Sequence, residues 1–140
     1  MGGADDLTGR WEGVYFYPVD ADVNPLDDLP PTPFTAVIED RGGEIHGQTS
    51  EPDLSGGPAN DNGEILAVIE GHRLAAALFF TKFPRGRQTH TIDYQGIISG
   101  DGNSISGQWI IHGEWSGTFQ MQRRLTSAEK SSSQAVEAQT

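Results

Sequence analysis

The amino-acid sequence predicts an all-β protein folded as one eight-stranded antiparallel up-and-down β-barrel. Three observations support this fold class. Eight short stretches rich in aromatic and β-branched residues follow one another, as strands require. Glycine makes up 18 of the 140 residues and lies mostly between these stretches, where tight turns need it. No segment keeps apolar residues at helical spacing beyond about two turns.

Turn residues separate the predicted strands. The strands are 11–17, 34–39, 44–51, 64–70, 73–83, 88–99, 104–112 and 114–123. A turn is predicted at Gly71-His72, and the long acidic, proline-rich loop at 19–33 is a candidate lid. Eight strands close into a barrel that holds side chains or one small ligand, and a two-sheet sandwich is the main alternative. The predicted organisation is a flexible N-terminus at 1–7, a barrel domain at 8–124 and a polar C-terminal tail at 125–140.

The composition excludes several classes of protein. The chain has no cysteine, so disulfides, iron–sulfur clusters and thiolate zinc sites are not expected. Its formal net charge of −11 repels phosphate backbones and anionic membranes, so neither nucleic acid nor a membrane is an expected partner. The first residues include early aspartates and lack an apolar core, so no signal peptide is predicted and a cytoplasmic location is expected.

No metal site and no other cofactor is predicted. The four histidines lie on separate elements without the spacing of metal ligands. The acidic stretch that begins at Asp20 resembles the start of a calcium loop. However, Pro25 and Pro31 occupy positions where such a loop needs glycine and glutamate. A solvated acidic loop is the simpler interpretation.

Side-chain alternation along each strand predicts which residues face the barrel interior, with the larger and more apolar face turned inward. The predicted inward residues are Trp11, Gly13, Tyr15, Tyr17, Ile45, Gly47, Thr49, Glu51, His90, Ile92, Tyr94, Gly96, Ile105, Gly107, Trp109, Ile111, Trp115, Gly117, Phe119, Met121 and Arg123. The glycines among them would leave space for a ligand. A lumen filled by aromatic rings would instead indicate a structural module.

The fourth and fifth strands are apolar on both faces, unlike the others. One face fills the barrel, and the other needs cover from water. A second subunit is the natural cover, so we predict a homodimer or higher oligomer through 64–70 and 73–83. A loop or the C-terminal tail lying over these strands is the alternative.

Several short motifs resemble those of avidin- and streptavidin-type barrels and of the wider calycin group, which includes the lipocalins. The opening Leu7-Thr-Gly-Arg-Trp11 resembles their first strand, and Trp115-Ser-Gly-Thr-Phe-Gln-Met-Gln-Arg123 resembles the last calycin strand. Three further segments follow the avidin order: Ile45-His-Gly-Gln, Tyr94-Gln-Gly96 and Ile105-Ser-Gly-Gln-Trp109. The closest resemblance is to uncharacterised bacterial proteins with the same Gly-x-Trp to Trp-Ser-Gly-x-Phe layout. It implies the barrel fold, with Arg123 stacked on Trp11 at one barrel end by a cation–π contact.

The resemblance does not extend to biotin binding. Trp109 matches one tryptophan of the biotin pocket, and Trp115 is a candidate for another. Most positions that would hydrogen-bond the ureido group carry other residues, namely Gly13, Thr49, Glu51, His90, Ile92 and Arg123. Biotin is therefore not the expected ligand.

The predicted interior gathers residues that suit a small-molecule site. The candidate ligand-binding residues, for a small apolar or aromatic ligand, are Tyr15, Tyr17, Tyr94, Trp109 and Trp115. Glu51 and His90 are the candidate catalytic residues, because a buried carboxyl group beside an imidazole can exchange protons with a substrate.

Three hypotheses on function stay open. The first is a barrel that binds a small molecule. The second is a small barrel enzyme of the isomerase, cyclase or hydratase type that uses Glu51 and His90. The third is a structural module with a filled interior. A hydrogen bond between Glu51 and His90 would favour the enzyme, and an open lumen would favour either of the first two.

Overall fold

The computed structural model describes residues 6–18, 24–52, 63–85 and 90–124. They form eight antiparallel strands closed into one barrel, in which each strand pairs with the next and the first pairs with the last. The strands are β1 (Gly9–Phe16), β2 (Thr32–Arg41), β3 (Glu44–Pro52), β4 (Glu64–Leu74), β5 (Ala77–Pro84), β6 (Ile92–Ile98), β7 (Ser104–Ile111) and β8 (Trp115–Arg123). The predicted all-β barrel is confirmed. The expected polar tail, most of the expected flexible N-terminus and part of the candidate lid lie outside the described residues.

The turn predicted at Gly71-His72 is wrong. β4 runs through both residues to Leu74, and the chain reverses just after it, where Ala75 has a φ of 54°. Gly71 instead marks a close approach of two strands, because a Cβ there would lie 1.9 Å from the backbone oxygen of Phe79. The glycine is therefore needed for strand packing and not for a turn.

The inner face of the barrel follows the predicted alternation over most of its length. Buried inward residues include Trp11, Ile45, Tyr94, Ile105, Trp109, Phe119 and Met121. The inward glycines do not empty the lumen as expected. A Cβ on Gly13 would lie 2.4 Å from the Phe34 ring, and one on Gly96 would lie 2.7 Å from Ile105. Side chains from neighbouring strands fill the space beside these two glycines, so much of the barrel interior is a packed core.

The N-terminal segment covers one end of the barrel, which we call the closed end. Leu7, the last residue of the stretch expected to be flexible, is fully buried, and its carbonyl accepts a hydrogen bond of 2.9 Å from the indole of Trp11. The Arg123 guanidinium lies 4.7 Å from the centroid of the Trp11 ring, which is cation–π geometry. Arg123 also donates to the carbonyls of Asp6 and Thr8, at 2.8 and 2.9 Å. These contacts join the N-terminal segment to β1 and β8.

A buried ion pair between Asp40 and Arg73 also lies at the closed end. Arg73 Nε donates to Asp40 Oδ2 at 2.7 Å, and the Asp40 side chain is 1% exposed. The same carboxylate accepts the backbone N–H groups of Leu7 and Gly43, at 3.0 and 2.8 Å. Asp40 therefore connects the N-terminal segment, the β2–β3 turn and β4 by charge-assisted hydrogen bonds.

The outer face of β4 and β5 exposes large apolar side chains. Leu66, Leu74, Phe79 and Phe83 are each more than a third exposed. Exposed apolar side chains on two neighbouring strands are a feature of interaction surfaces. Self-association through these two strands stays a prediction.

Candidate functional site

The opposite end of the barrel, which we call the open end, contains a pocket. It lies where β1, β3 and β5 end and where β4, β6 and β8 begin. The pocket holds about 130 Å³ and is lined by Tyr15, Tyr17, Glu51, Ile65, Lys82, Pro84, Ile92, Tyr94, Trp109, Ile111 and Trp115. Because an apolar cavity of about 150 Å³ accommodates benzene, this pocket has room for one aromatic ring.

Packed aromatic rings form one wall of the pocket. Tyr17 and Trp115 stack with their centroids 5.5 Å apart, and Trp109 meets Trp115 edge-on at 5.4 Å. Tyr15 lies edge-on to Tyr17 at 5.6 Å. The indole of Trp109 also donates a 2.9 Å hydrogen bond to the carbonyl of Phe16. The rings hold one another in place and present a rigid apolar surface.

Beside this wall lies a group of polar side chains that we call the polar cluster, formed by the buried Glu51, Lys82 and Tyr94 and the half-buried Tyr15. Lys82 Nζ donates to Glu51 Oε1 at 2.8 Å, and the two side chains are 5% and 9% exposed. The Tyr15 hydroxyl donates to the other carboxylate oxygen, Oε2. The ammonium lies 5.1 and 5.5 Å from the centroids of the Tyr15 and Tyr94 rings. The cluster is therefore one connected unit that borders the pocket.

Burial and charge together set the protonation states of the polar cluster. Burial raises the pKa of Tyr15 far above its usual range, and the Glu51 carboxylate raises it further. Burial also raises the pKa of Tyr94, although Lys82 opposes this effect. Burial lowers the pKa of Lys82, but Tyr94 and Glu51 outweigh it, so this pKa is raised overall. Near neutral pH the cluster contains two neutral phenols and a protonated ammonium.

Lys82 is the charged residue of this site that the sequence pattern did not predict. The stretch 73–83 is dominated by apolar residues, and Lys82 is its only charge after Arg73 at the start. The inward alternation through Leu78 and Phe80, both buried, continues to Lys82. A lysine whose side chain points into the barrel needs a buried counter-charge, and the side chain of Glu51 is also predicted to point inward. These two facts predict an inward lysine with a buried counter-charge, but the choice of Glu51 as its partner depends on the barrel geometry.

The predicted approach of His90 to Glu51 is wrong. His90 Nδ1 lies 3.1 Å from Glu114 Oε2, and the His90 side chain is 55% exposed. The expected inward position fails because β6 begins only at Ile92, so the alternation of the strand does not reach back to His90. Glu51 is bonded to Tyr15 and Lys82 instead.

Thr49 lies one inward position before Glu51 on β3. The residue is 6% exposed, and its hydroxyl has no hydrogen-bond partner among the described residues. Its cross-strand neighbours are Ala36 and Ala67, which have no polar side-chain atoms to offer. A buried hydroxyl without a partner costs about 1–3 kcal/mol, so Thr49 is a second polar feature of the lumen that packing alone does not explain.

Two kinds of site are not found in the part of the chain that the structure describes. No group of three or more histidine or carboxylate side chains there could hold a metal ion. No helix there is long and apolar enough to cross a bilayer. The aspartates of the calcium-like stretch, Asp20 and Asp22, lie outside the described residues.

The fold and the pocket define a class of protein: a small closed antiparallel barrel with an aromatic pocket at one end. Comparison of the chain with protein-family models, with curated proteins and with solved structures found no match. The function must therefore be inferred from the geometry and chemistry of the pocket itself.

Proposed function

We propose that the protein binds a small aromatic molecule in the pocket at the open end. The observation that carries the proposal is the pocket of about 130 Å³, which combines aromatic walls with a buried polar cluster. Small-molecule sites are typically concave and mostly apolar, with a few polar groups that fix the orientation of the ligand. The resemblance to calycin barrels supports the same proposal, because lipocalins and streptavidin hold one small ligand within eight strands.

The contrast within the lumen favours a binding site over a structural module. Near Gly13 and Gly96, side chains fill the barrel interior to contact distance. At the open end the described residues leave a pocket, and the pair of Glu51 and Lys82 lines it. Burying two charges is costly, and apolar residues of similar volume would often be no less stable. An ion pair at the edge of a pocket is better explained by recognition than by stability.

The enzyme alternative has less support. Its proposed pair does not form, because His90 contacts Glu114 instead of Glu51. Lys82 is not a ready nucleophile, because its raised pKa keeps the ammonium protonated and amine chemistry needs the neutral form. Binding requires only the shape and the polar groups that the pocket already has.

Titration with 4-fluorotoluene, followed by fluorine NMR, tests the proposal. We expect saturable binding to the wild-type chain at one site. The variant Ile111→Trp should weaken binding by about tenfold or more, because the larger side chain fills the pocket. Binding to the wild-type chain that does not saturate would contradict the proposal.

A matched control separates the pocket from the apolar outer surface. Phe83 lies on the outer face of β5 and is 41% exposed. If the probe binds in the pocket, Phe83→Ala should leave its affinity unchanged. If Phe83→Ala weakens binding and Ile111→Trp does not, the probe binds on the outer surface and the proposal is wrong.

A further inference from the structure

We infer that the ligand of the open end is a neutral single-ring compound whose substituent offers a hydrogen-bond acceptor beside a hydrogen-bond donor, as an aromatic amide does. This inference rests on the proposed function and specifies the class of ligand. Its basis is the pairing of Glu51 with Lys82 at the edge of a pocket that fits one ring.

The charges around the pocket favour a neutral ligand. Among the described residues that line it, Glu51 is the only carboxylate and Lys82 is the only cation, and they neutralise each other at 2.8 Å. An anionic ligand that approached Lys82 would also be repelled by Glu51. A cationic ligand that approached Glu51 would also be repelled by Lys82. In surroundings of low dielectric constant, either unpaired charge is strongly disfavoured.

The hydrogen-bonding capacity of the pair favours a polar ligand over a purely apolar one. An ammonium has three N–H donors, and a carboxylate has about four acceptor sites on its two oxygens. The bonds between Lys82, Glu51 and Tyr15 use only part of this capacity. A carbonyl that accepts from Lys82 and an N–H that donates to Glu51 would use more of it. An apolar ligand would remove the pair from water and return no hydrogen bonds.

The aromatic wall and the volume restrict the rest of the ligand. The stacked pair of Tyr17 and Trp115 and the edge of Trp109 suit a flat ring. The volume of about 130 Å³ is close to that of a cavity that accommodates benzene. The ring would pack on the aromatic wall while its substituent reaches the polar cluster.

Four para-fluorinated single-ring probes test the inference: the neutral 4-fluorobenzamide and 4-fluorotoluene, 4-fluorobenzoate and 4-fluorobenzylamine. Each is titrated into the wild-type chain near neutral pH, where the acid is anionic and the amine is cationic. We expect the amide to bind about tenfold or more tighter than each of the other three. An amide no tighter than 4-fluorotoluene, or a charged probe that binds best, would overturn the inference.

Two single variants should change which ligand charge the pocket prefers, without changing the residues that contact the ring of the ligand. Glu51→Gln leaves Lys82 without its counter-ion, so the benzoate should become the tightest ligand. Lys82→Met leaves Glu51 alone, so the benzylammonium should become the tightest. The measured quantity is the rank order of the four probes within each variant, which does not require the affinity of any one probe to stay constant. If one variant fails to fold, the other and the wild-type series still decide the inference.

The outcomes separate this inference from the proposed function. If none of the four probes binds in the pocket of the wild-type chain, the proposed function fails and this inference fails with it. If 4-fluorotoluene binds in the pocket but the amide has no advantage, the binding function stands and only the ligand class is wrong. If the amide is preferred and both variants shift the preference as described, both proposals are supported.

Discussion

A buried carboxylate pairs with a cation at each end of the barrel, but the two pairs have different surroundings. At the closed end, Asp40 pairs with Arg73 and also accepts two backbone N–H groups. At the open end, Glu51 pairs with Lys82, its further bond comes from the Tyr15 side chain, and the pair borders a cavity. The first pair connects segments of the backbone, whereas the second connects side chains only.

This difference indicates separate roles for chemically similar groups. A carboxylate that accepts hydrogen bonds from the backbone of a turn and of a terminal segment stabilises the fold. If that carboxylate is removed, the turn and the terminal segment both lose a hydrogen bond. A carboxylate that is bonded only to side chains can be replaced together with its partner at little cost in stability. Stability should therefore depend mainly on the closed end, and ligand recognition on the open end.

The largest effect should follow from breaking the closed end. We expect Asp40→Ala to lower the free energy of unfolding by about 4 kcal/mol, because Arg73 loses its bond to this buried carboxylate and two backbone N–H groups lose their acceptor. Urea denaturation measures the change. The control is Glu39→Ala, which removes an exposed partner of Arg41 and should cost less than about 0.5 kcal/mol. Equal small losses in the two variants would show that Asp40 does not hold the closed end.

The next largest effect should come from breaking the pair at the open end one residue at a time. We expect Lys82→Met to cost about 3 kcal/mol, because Glu51 then stays buried without a counter-charge. The double variant Glu51→Gln with Lys82→Met should recover at least about 1 kcal/mol of this loss. Urea denaturation of the wild-type chain, the single variant and the double variant measures this recovery. A double variant less stable than the single one would mean that the pair supports the fold as Asp40 does.

The two ends should respond to opposite extremes of pH. Burial alone would raise the pKa of Asp40, but hydrogen bonds from Arg73, Leu7 and Gly43 lower it overall. The Asp40 carboxylate therefore takes up a proton more readily in the unfolded chain than in the folded chain. The stability that Asp40 contributes is complete above its unfolded pKa of about 4 and is lost as the pH falls through the lower folded value. Acid should therefore weaken the closed end first.

Alkaline pH should instead weaken the open end, because the pKa values of Tyr15 and Lys82 are raised in the folded state. Their contribution is complete below about pH 10 and is lost as the pH rises toward the folded values. Urea denaturation at a series of pH values tests both ends. Above about pH 10, the Tyr15→Phe variant should lose less stability than the wild-type chain. Below about pH 4, the Asp40→Asn variant should lose less stability than the wild-type chain. The reverse assignment would contradict the account.

The smallest effect concerns the unpaired hydroxyl of Thr49. We expect Thr49→Val to raise the free energy of unfolding by about 1 kcal/mol, because valine has nearly the same shape and no polar group to bury. Thermal and urea denaturation measure the change. Thr118→Val is the control, since Thr118 is exposed on the outer face of β8. A loss of stability in Thr49→Val would show that the hydroxyl is hydrogen-bonded in solution.

The alternation of the strands made most of the site predictable from sequence. Tyr15, Tyr17, Trp109 and Trp115 line one pocket because a period of two residues fixes the face of every residue within a strand. The same rule failed for His90, which precedes β6 and is therefore not bound by its alternation. The rule therefore placed Tyr17 correctly just beyond β1 but failed for His90, which lies two residues before β6.

Packing across strands was less accessible to sequence reasoning. The position of Gly71 within β4 depends on the backbone of β5, and the space beside Gly13 is filled by Phe34 from β2. Neither contact has a local pattern in the sequence. The Glu51–Lys82 pair likewise joins β3 to β5 across β4, so it depends on barrel geometry that alternation alone does not specify.

The three tryptophans provide the most direct test, because one lies at the closed end and two lie in the pocket. Titration with 4-fluorobenzamide, followed by nitrogen–proton correlation NMR, reports on each indole N–H separately. We predict saturable shifts for Trp109 and Trp115, while the indole of Trp11, bonded to the Leu7 carbonyl, stays in place. A Trp11 signal that shifts as much as the other two, or three signals that do not move, would contradict the division of the barrel into a structural end and a binding end.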